Sequence, residues 1–171
     1  MSSEKLRRPL AGVSAEEFRR ACGRFATGVT IASVLDESGM PHGLTVSSFC
    51  SVSLDPPLVL ICLGRETASL ETFRNAKHFG INVLAQDQRG LSERFARKGH
   101  DRFDGLEWTS GETGVPLLAG AIAQMECEVV QRIPAGDHDI FVGEIVNARV
   151  HKGEPLIHFS SRYSKLADAG G

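Results

Sequence analysis

The chain has 171 residues, of which 42% are hydrophobic and 23% charged, with a formal net charge of −2. That length supports one domain with a single substantial core, and the near-neutral charge gives no electrostatic footprint for nucleic acid or an anionic membrane surface. No apolar run approaches the roughly 18 residues of a membrane-spanning helix, and residues 1–13 lack the apolar segment of a secretory signal, so a cytoplasmic protein is expected.

Residues 1–13 read as a loose leader, 14–167 as one domain and 168–171 as a tail. Ser14 and Glu17 have capping-box spacing, and Phe18, Cys22 and Phe25 follow at i, i+4 and i+7, which predicts a packed helix with one apolar stripe. Residues 27–35 are rich in β-branched side chains and predict a strand, with turn chemistry at 36–39. Gly28 at the start of that strand points to a close approach by backbone or ligand.

Residues 43–63 predict two strands joined at Asp55-Pro56-Pro57. Thr45, Ser47, Ser48, Ser51 and Ser53 crowd this apolar neighbourhood, and a buried hydroxyl without a partner costs about 1–3 kcal/mol. These hydroxyls therefore either bond nearby backbone or face a polar ligand. Residues 69–77 predict a short helix with Leu70 and Phe73 inward, and 79–84 a further strand. Asp87 is positioned to cap a helix through Lys98, with Gly99 as its stop and a polar loop at 100–105.

Residues 121–133 alternate cleanly, Ala121, Ala123, Met125, Cys127 and Val129 against Gln124, Glu126, Glu128 and Arg132, and predict a half-exposed antiparallel strand. After a turn at 134–137, residues 138–150 predict a long, central strand, and 155–160 the last one. About seven strands and three short helices, mostly linked by tight turns, predict a mainly β protein: an antiparallel barrel with helices at its openings.

Four cysteines lack C-x-x-C pairing or zinc spacing and read as reduced thiols. There is no G-x-S-x-G elbow, no H-E-x-x-H and no G-x-G-x-x-G, which argues against a serine hydrolase, a zincin and a Rossmann fold, and no metal site is expected. His138 stands at a predicted barrel mouth, where sites are commonly built, or is simply bonded to backbone. Its neighbours Asp137 and Asp139 point away from its face by alternation. Tyr163, the sole tyrosine, is either packing or a stacking surface.

Thr27-Gly28-Val29-Thr30, then Thr45-Val46-Ser47-Ser48-Phe49, Ser51-Val52-Ser53-Leu54, Pro56-Pro57-Leu58-Val59, Phe95-Ala96, Arg102-Phe103, residues 136–144, Pro155-Leu156 and Tyr163 occur in order. This series resembles the short-chain flavin reductases, the reductase components of two-component flavin-dependent monooxygenases. The resemblance implies a homodimeric Greek-key split β-barrel with FMN or FAD near the subunit interface, NADH or NADPH as co-substrate, and an oxygenase partner that receives reduced flavin. It implies that Gly28, Thr45, Val46, Ser47 and Ser48 line the flavin, with Ser48 a phosphate donor. Cys62, Leu63, Gly64 and Ser69 would continue that wall, and Lys98 or Arg97 would neutralise phosphate. His138 would be the catalytic residue, orienting the nicotinamide coenzyme, with Tyr163 on the same side. A non-enzymatic flavin-binding protein on this barrel is the alternative. An oxidase resembling the pyridoxamine-phosphate oxidases would need a basic substrate-phosphate site, and no such pattern is present.

Overall fold

The computed structural model describes residues 12–99 and 102–167; most of the predicted leader and the tail at 168–171 lie outside the described residues. The chain runs α1 (Ala15–Cys22), β1 (Thr27–Gly28), β2 (Thr30–Leu35), β3 (Pro41–Val46), β4 (Cys50–Leu54), β5 (Pro57–Gly64), α2 (Leu70–Asn75), β6 (His78–Val83), a 3₁₀ turn (Gln86–Gln88) and α3 (Arg89–Ala96). It continues through β7 (Trp108–Ser110), β8 (Pro116–Leu118), β9 (Ala123–Ala135), β10 (His138–Val150), β11 (Ile157–Phe159) and β12 (Arg162–Ser164).

The main sheet has seven strands in the order β3-β2-β6-β9-β10-β5-β4, each pair antiparallel. Long connections place β6 beside β2 and β10 beside β5, the non-sequential neighbours of Greek-key topology. Closure follows from connectivity. The two edge strands, β3 and β4, are consecutive in the chain and separated only by residues 47–49. Four Cα steps span at most about 14 Å, whereas the edges of a flat seven-stranded sheet stand about 29 Å apart. The sheet must curl until its edges meet at residues 47–49, and β3 and β4 stay unpaired there, so the barrel is split along this seam.

A second sheet, β1-β11-β12, and a hairpin, β7-β8, pack on the outside. β2 is buried on both faces. Ala32 and Val34 join Ile61, Phe73, Phe79 and Phe141 inside the barrel, while Ile31 joins Leu84, Phe95 and Leu118 beneath α3.

Several expectations need correction. The Ser14–Glu17 capping box forms, with Glu17 N–H donating to Ser14 Oγ at 3.2 Å. The apolar stripe behind it does not pack: α1 buries no residue, and Phe18 and Phe25 are 62% and 78% exposed. Helical spacing specifies that the three side chains share a face, not that a partner covers it. The strand expected over 27–35 breaks at Val29. The helix expected to run from Asp87 to Lys98 is a 3₁₀ turn followed by α3, ending at Ala96. β7, β8 and β12 were not foreseen, because three-residue strands are too short to show periodicity. Gln124 and Glu126, expected on an exposed face, are 9% and 1% exposed, because the β7-β8 hairpin covers them. Of the cysteines, Cys22 and Cys50 are exposed and Cys127 is buried; burial pushes the Cys127 thiol up to about 12.

Candidate functional site

β3 passes under α3 on its way to the seam. A Cβ at Gly43 would stand 2.9 Å from both the Ala32 carbonyl and Phe95 Cε1, so only glycine lets β3 and α3 approach this closely. Two residues on, Thr45 Oγ1 donates to the Ser92 carbonyl at 2.6 Å. Val46 turns inward and is 4% exposed, and Leu63 on β5 is 1% exposed. Both side chains belong to the barrel core, so only their backbone can meet a ligand. Thr30 Oγ1 donates to the Val46 carbonyl at 2.8 Å, which leaves Val46 C=O already bonded.

The two seam serines differ. Ser48 Oγ donates to the Cys62 carbonyl at 3.1 Å and accepts from Cys62 N–H at 2.9 Å. It replaces the backbone pairing that β5 loses where the barrel splits, and a hydroxyl so engaged has one proton and no more to give. Ser48 is therefore ill suited to the phosphate-donor role. Ser47 is exposed, and its hydroxyl has no partner among the described residues. Gly28 is exposed on β1, and a Cβ built there would meet only open space. Beside it, Thr27 Oγ1 is buried with no hydrogen-bond partner among the described residues. A free hydroxyl, an open glycine face and an orphaned buried hydroxyl fit a flat ligand with polar edges.

His138 opens β10 opposite Gly64 on β5. Its side chain is 47% exposed, and Nδ1 lies 2.7 Å from Asp137 Oδ1. Asp137 thus turns back onto the ring, contrary to the alternation argument, because it sits in the β9-β10 turn and not in a strand. The hydrogen bond from His138 holds the Asp137 carboxyl below its usual range. With Nδ1 facing that carboxylate, Nε2 is the outward nitrogen; a Cβ at Gly64 would lie 3.7 Å from it. Asp139 does point away. It accepts from Arg65 Nε at 3.1 Å and Arg74 Nε at 2.8 Å, and the Arg74 bond is the main cause that holds its carboxyl low.

Tyr163 is half-buried on β12. Its hydroxyl lies 2.9 Å from Ser92 Oγ, the Arg89 guanidinium stands 5.2 Å from its ring centre, and His158 packs edge-on at 5.8 Å. Lys98, beyond the end of α3, is exposed, and no hydrogen bond or ion pair joins it to another site residue among the described residues. Ser69 is 6% exposed and lines a small pocket of about 50 Å³ with His42, Gly43, Gly99 and Arg102.

Arg102 is a residue that the sequence reading did not place in the site. Its Nη1 donates to the Gly43 carbonyl at 2.6 Å, and Nε and Nη2 donate to the Arg97 carbonyl at 3.0 and 2.6 Å. No carboxylate pairs with it among the described residues, and burial lowers its pKa. Among the described residues its partners are carbonyls, and a half-buried cation so held is suited to an anion. A signal was present in the sequence: Arg102-Phe103 stands in the motif series of the resemblance, inside a polar loop, but no site role is attached to it there.

The structure therefore brings Thr45, Ser47, Ser48, Cys62, Gly64 and His138 along one seam. Ser69 and Arg102 stand at its Gly43 end, roughly 13 Å of strand from Ser47, and Gly28 and Tyr163 lie on the flanking sheet. A larger pocket, about 530 Å³ between the β2-β3 turn and α2, is rimmed by Asp36, Glu37 and Glu71 and is unsuited to phosphate. Among the described residues, no group of three His, Cys, Asp or Glu side chains is placed to hold a metal ion.

Residues 22–167 match the family model described as "Flavin reductase like domain". An actinorhodin polyketide dimerase of Streptomyces coelicolor is 42% identical over 154 residues, covering 90% of this chain and 87% of that protein. An FMN reductase (NADH) of Agrobacterium fabrum is 42% identical over 156 residues, covering 91% and 88%. The reductase component of a 4-nitrophenol 4-monooxygenase/4-nitrocatechol 2-monooxygenase of Rhodococcus opacus is 40% identical over 147 residues, covering 86% and 78%. Among solved structures, an NADH:FAD oxidoreductase of Streptomyces globisporus in complex with NAD and FAD fragments superposes with a TM-score of 0.86 at 37% identity, covering 91% of this chain and 94% of that one.

Proposed function

Because the chain belongs to the flavin reductase-like domain family, we propose that it is an NAD(P)H:flavin oxidoreductase that passes hydride from NADH or NADPH to FMN or FAD and supplies reduced flavin to an oxygenase partner. Bound flavin supplies the hydride acceptor. The chain's own residues supply position and electrostatics. The observation that carries the reading is the seam itself: an open face with the exposed Ser47 hydroxyl, the Arg102 guanidinium bonded to the Gly43 carbonyl, and His138 opposite Gly64.

Arg102 and the Ser69 hydroxyl, which has no hydrogen-bond partner among the described residues, are suited to the flavin phosphate, with Lys98 adding positive charge from the surface. Ser47, Thr45, Gly28 and the backbone of Val46, Cys62, Leu63 and Gly64 form the wall along the ring, and Ser48 holds that wall in shape. His138 Nε2 faces outward from the Gly64 end and is placed to orient the nicotinamide coenzyme, with the Tyr163 ring on the same side. The working unit is a homodimer, consistent with the bare apolar side chains of α1 and β4. Free cysteines and the absence of any helix long and apolar enough to cross a membrane among the described residues are consistent with a cytoplasmic enzyme.

The test is loss of nicotinamide absorbance with FMN or FAD crossed against NADH or NADPH. Oxidation that depends on added flavin is expected. Tight flavin binding with no nicotinamide oxidation would replace the enzyme with a flavin-binding protein. His138→Ala is expected to lower the rate of flavin reduction about 10- to 100-fold, the loss of one good hydrogen bond to the coenzyme; an unchanged rate and coenzyme KM would remove its role.

A further inference from the structure

We infer that Ser92 is the positioning residue that sets the shape of the flavin wall: its carbonyl fixes the hydroxyl of Thr45, and its hydroxyl ties the same point to Tyr163. The inference rests on the reading that Thr45 lines the flavin. Ser92 is 0% exposed in the middle of α3. The buried face of that helix otherwise presents Phe95 to an apolar cluster that includes Ile31, Leu84 and Leu118. Serine is a poor choice there for helix propensity or for packing, and a buried hydroxyl persists only where it has a partner. Its partner is the Tyr163 hydroxyl at 2.9 Å. The carbonyl of the same residue takes the Thr45 hydroxyl proton at 2.6 Å.

Three elements, α3, β3 and β12, are thus pinned at one residue. β12 pairs with β11, and β11 pairs Ile157 with Gly28. Ser92 therefore joins the two sides of the proposed groove, Thr45 on β3 and, through Tyr163 and β11, Gly28 on β1. With its proton given to Ser92, Thr45 Oγ1 can offer a ligand only lone pairs, so the wall is fixed in polarity as well as in position.

Tyr163→Phe removes the hydroxyl and keeps the ring, Ser92→Ala removes the other half of the same bond, and the double variant removes nothing more. The readouts are KM for flavin, KM for whichever nicotinamide supports turnover, and the melting temperature. Each single variant is expected to raise the flavin KM about fivefold, the scale of one lost hydrogen bond. The coenzyme KM should stay within about twofold, and the double variant should match the worse single one. A fall in melting temperature with an unchanged flavin KM would reduce Ser92 to a structural residue and overturn the inference. So would a change in coenzyme KM alone, which would assign the Tyr163 hydroxyl to the nicotinamide. Thr45→Val separates the two levels. If it leaves the flavin KM unchanged, the Thr45 reading and this inference fall together; if it raises the KM and the other variants do not, the inference alone falls.

Discussion

Ser47 and Ser48 are adjacent and chemically identical, yet their hydroxyls meet different demands. Ser48 bridges both backbone groups of Cys62, while Ser47 is exposed with nothing bonded to its hydroxyl among the described residues. Ser48→Ala would leave a half-buried N–H and C=O unpaired, at a cost of about 1–3 kcal/mol. That corresponds to a fall of roughly 3–10 °C in melting temperature for a chain of this size. Ser47→Ala should leave the melting temperature within about 1 °C and raise the flavin KM about fivefold. Thermal denaturation and flavin titration of the two variants check the contrast; similar losses of stability in both would show that Ser47 is bonded in solution. Arg102 and Asp137 teach the same lesson. Their residue types are visible in the sequence, but the reach of one to the Gly43 carbonyl and the turn of the other onto His138 depend on neighbours that no local pattern names.

At the scale of elements, β9 shows how a correct periodicity can be given the wrong environment. Its polar positions do alternate, but the β7-β8 hairpin lies over them. Glu126 accepts from Thr113 N–H and Thr113 Oγ1 at 2.7 Å each, and from Glu112 N–H and Asn147 Nδ2 at 3.1 Å each. A Cβ at Gly111 would stand 2.5 Å from its carboxyl, so the hairpin reaches this position only with glycine. Burial alone would raise the Glu126 pKa, but the bonds from Thr113 and Glu112 and the charge of Arg149 outweigh it and hold it below 4.5. A depressed folded pKa stabilises fully above the unfolded value, and that stabilisation is lost as pH falls through the folded value. Glu126→Gln turns an NH₂ against backbone donors and should cost about 2 kcal/mol near neutral pH, a drop of roughly 4–8 °C. The gap between wild type and variant should close in acid, below pH 4.5. Melting curves from pH 7 downward measure it, and a gap that stayed constant would mean that ionised Glu126 is not what anchors the hairpin.

At the scale of the whole molecule, closure and exposure act together. The short link between β3 and β4 forces the barrel shut and creates the seam, and the same strand β4 is left exposed on both faces. Leu54 is 92% exposed, Val52 49% and Val150 83%, alongside Phe18 and Phe25 near α1. Leaving such side chains in water forgoes about 25 cal/mol per Å² of apolar surface. The proposed homodimer predicts a particle of twice the 18.5 kDa chain mass in sedimentation or light scattering. Leu54→Asp should shift it toward the single chain and weaken flavin binding along with it. A monomer at all concentrations with full activity would remove the dimer from the proposal.

The residue order was enough for the mainly β class, the capped first helix, the hairpins around residues 36–39 and 134–137, and the family whose motif series runs from Thr27 to Tyr163. These are legible because strand alternation, capping and turn chemistry act between residues a few positions apart, and because a motif series keeps its order when unfolded. Tertiary structure alone decided that the α1 stripe is bare, that Glu126 is covered, that Val46 and Leu63 face the core, and that Ser48 is engaged while Ser47 is open. It also decided that Arg102 reaches the Gly43 carbonyl and that Thr45, Ser92 and Tyr163 meet. Each of these depends on contacts between residues from 13 to more than 70 positions apart, or on the absence of one, and such contacts exist only once the barrel has closed.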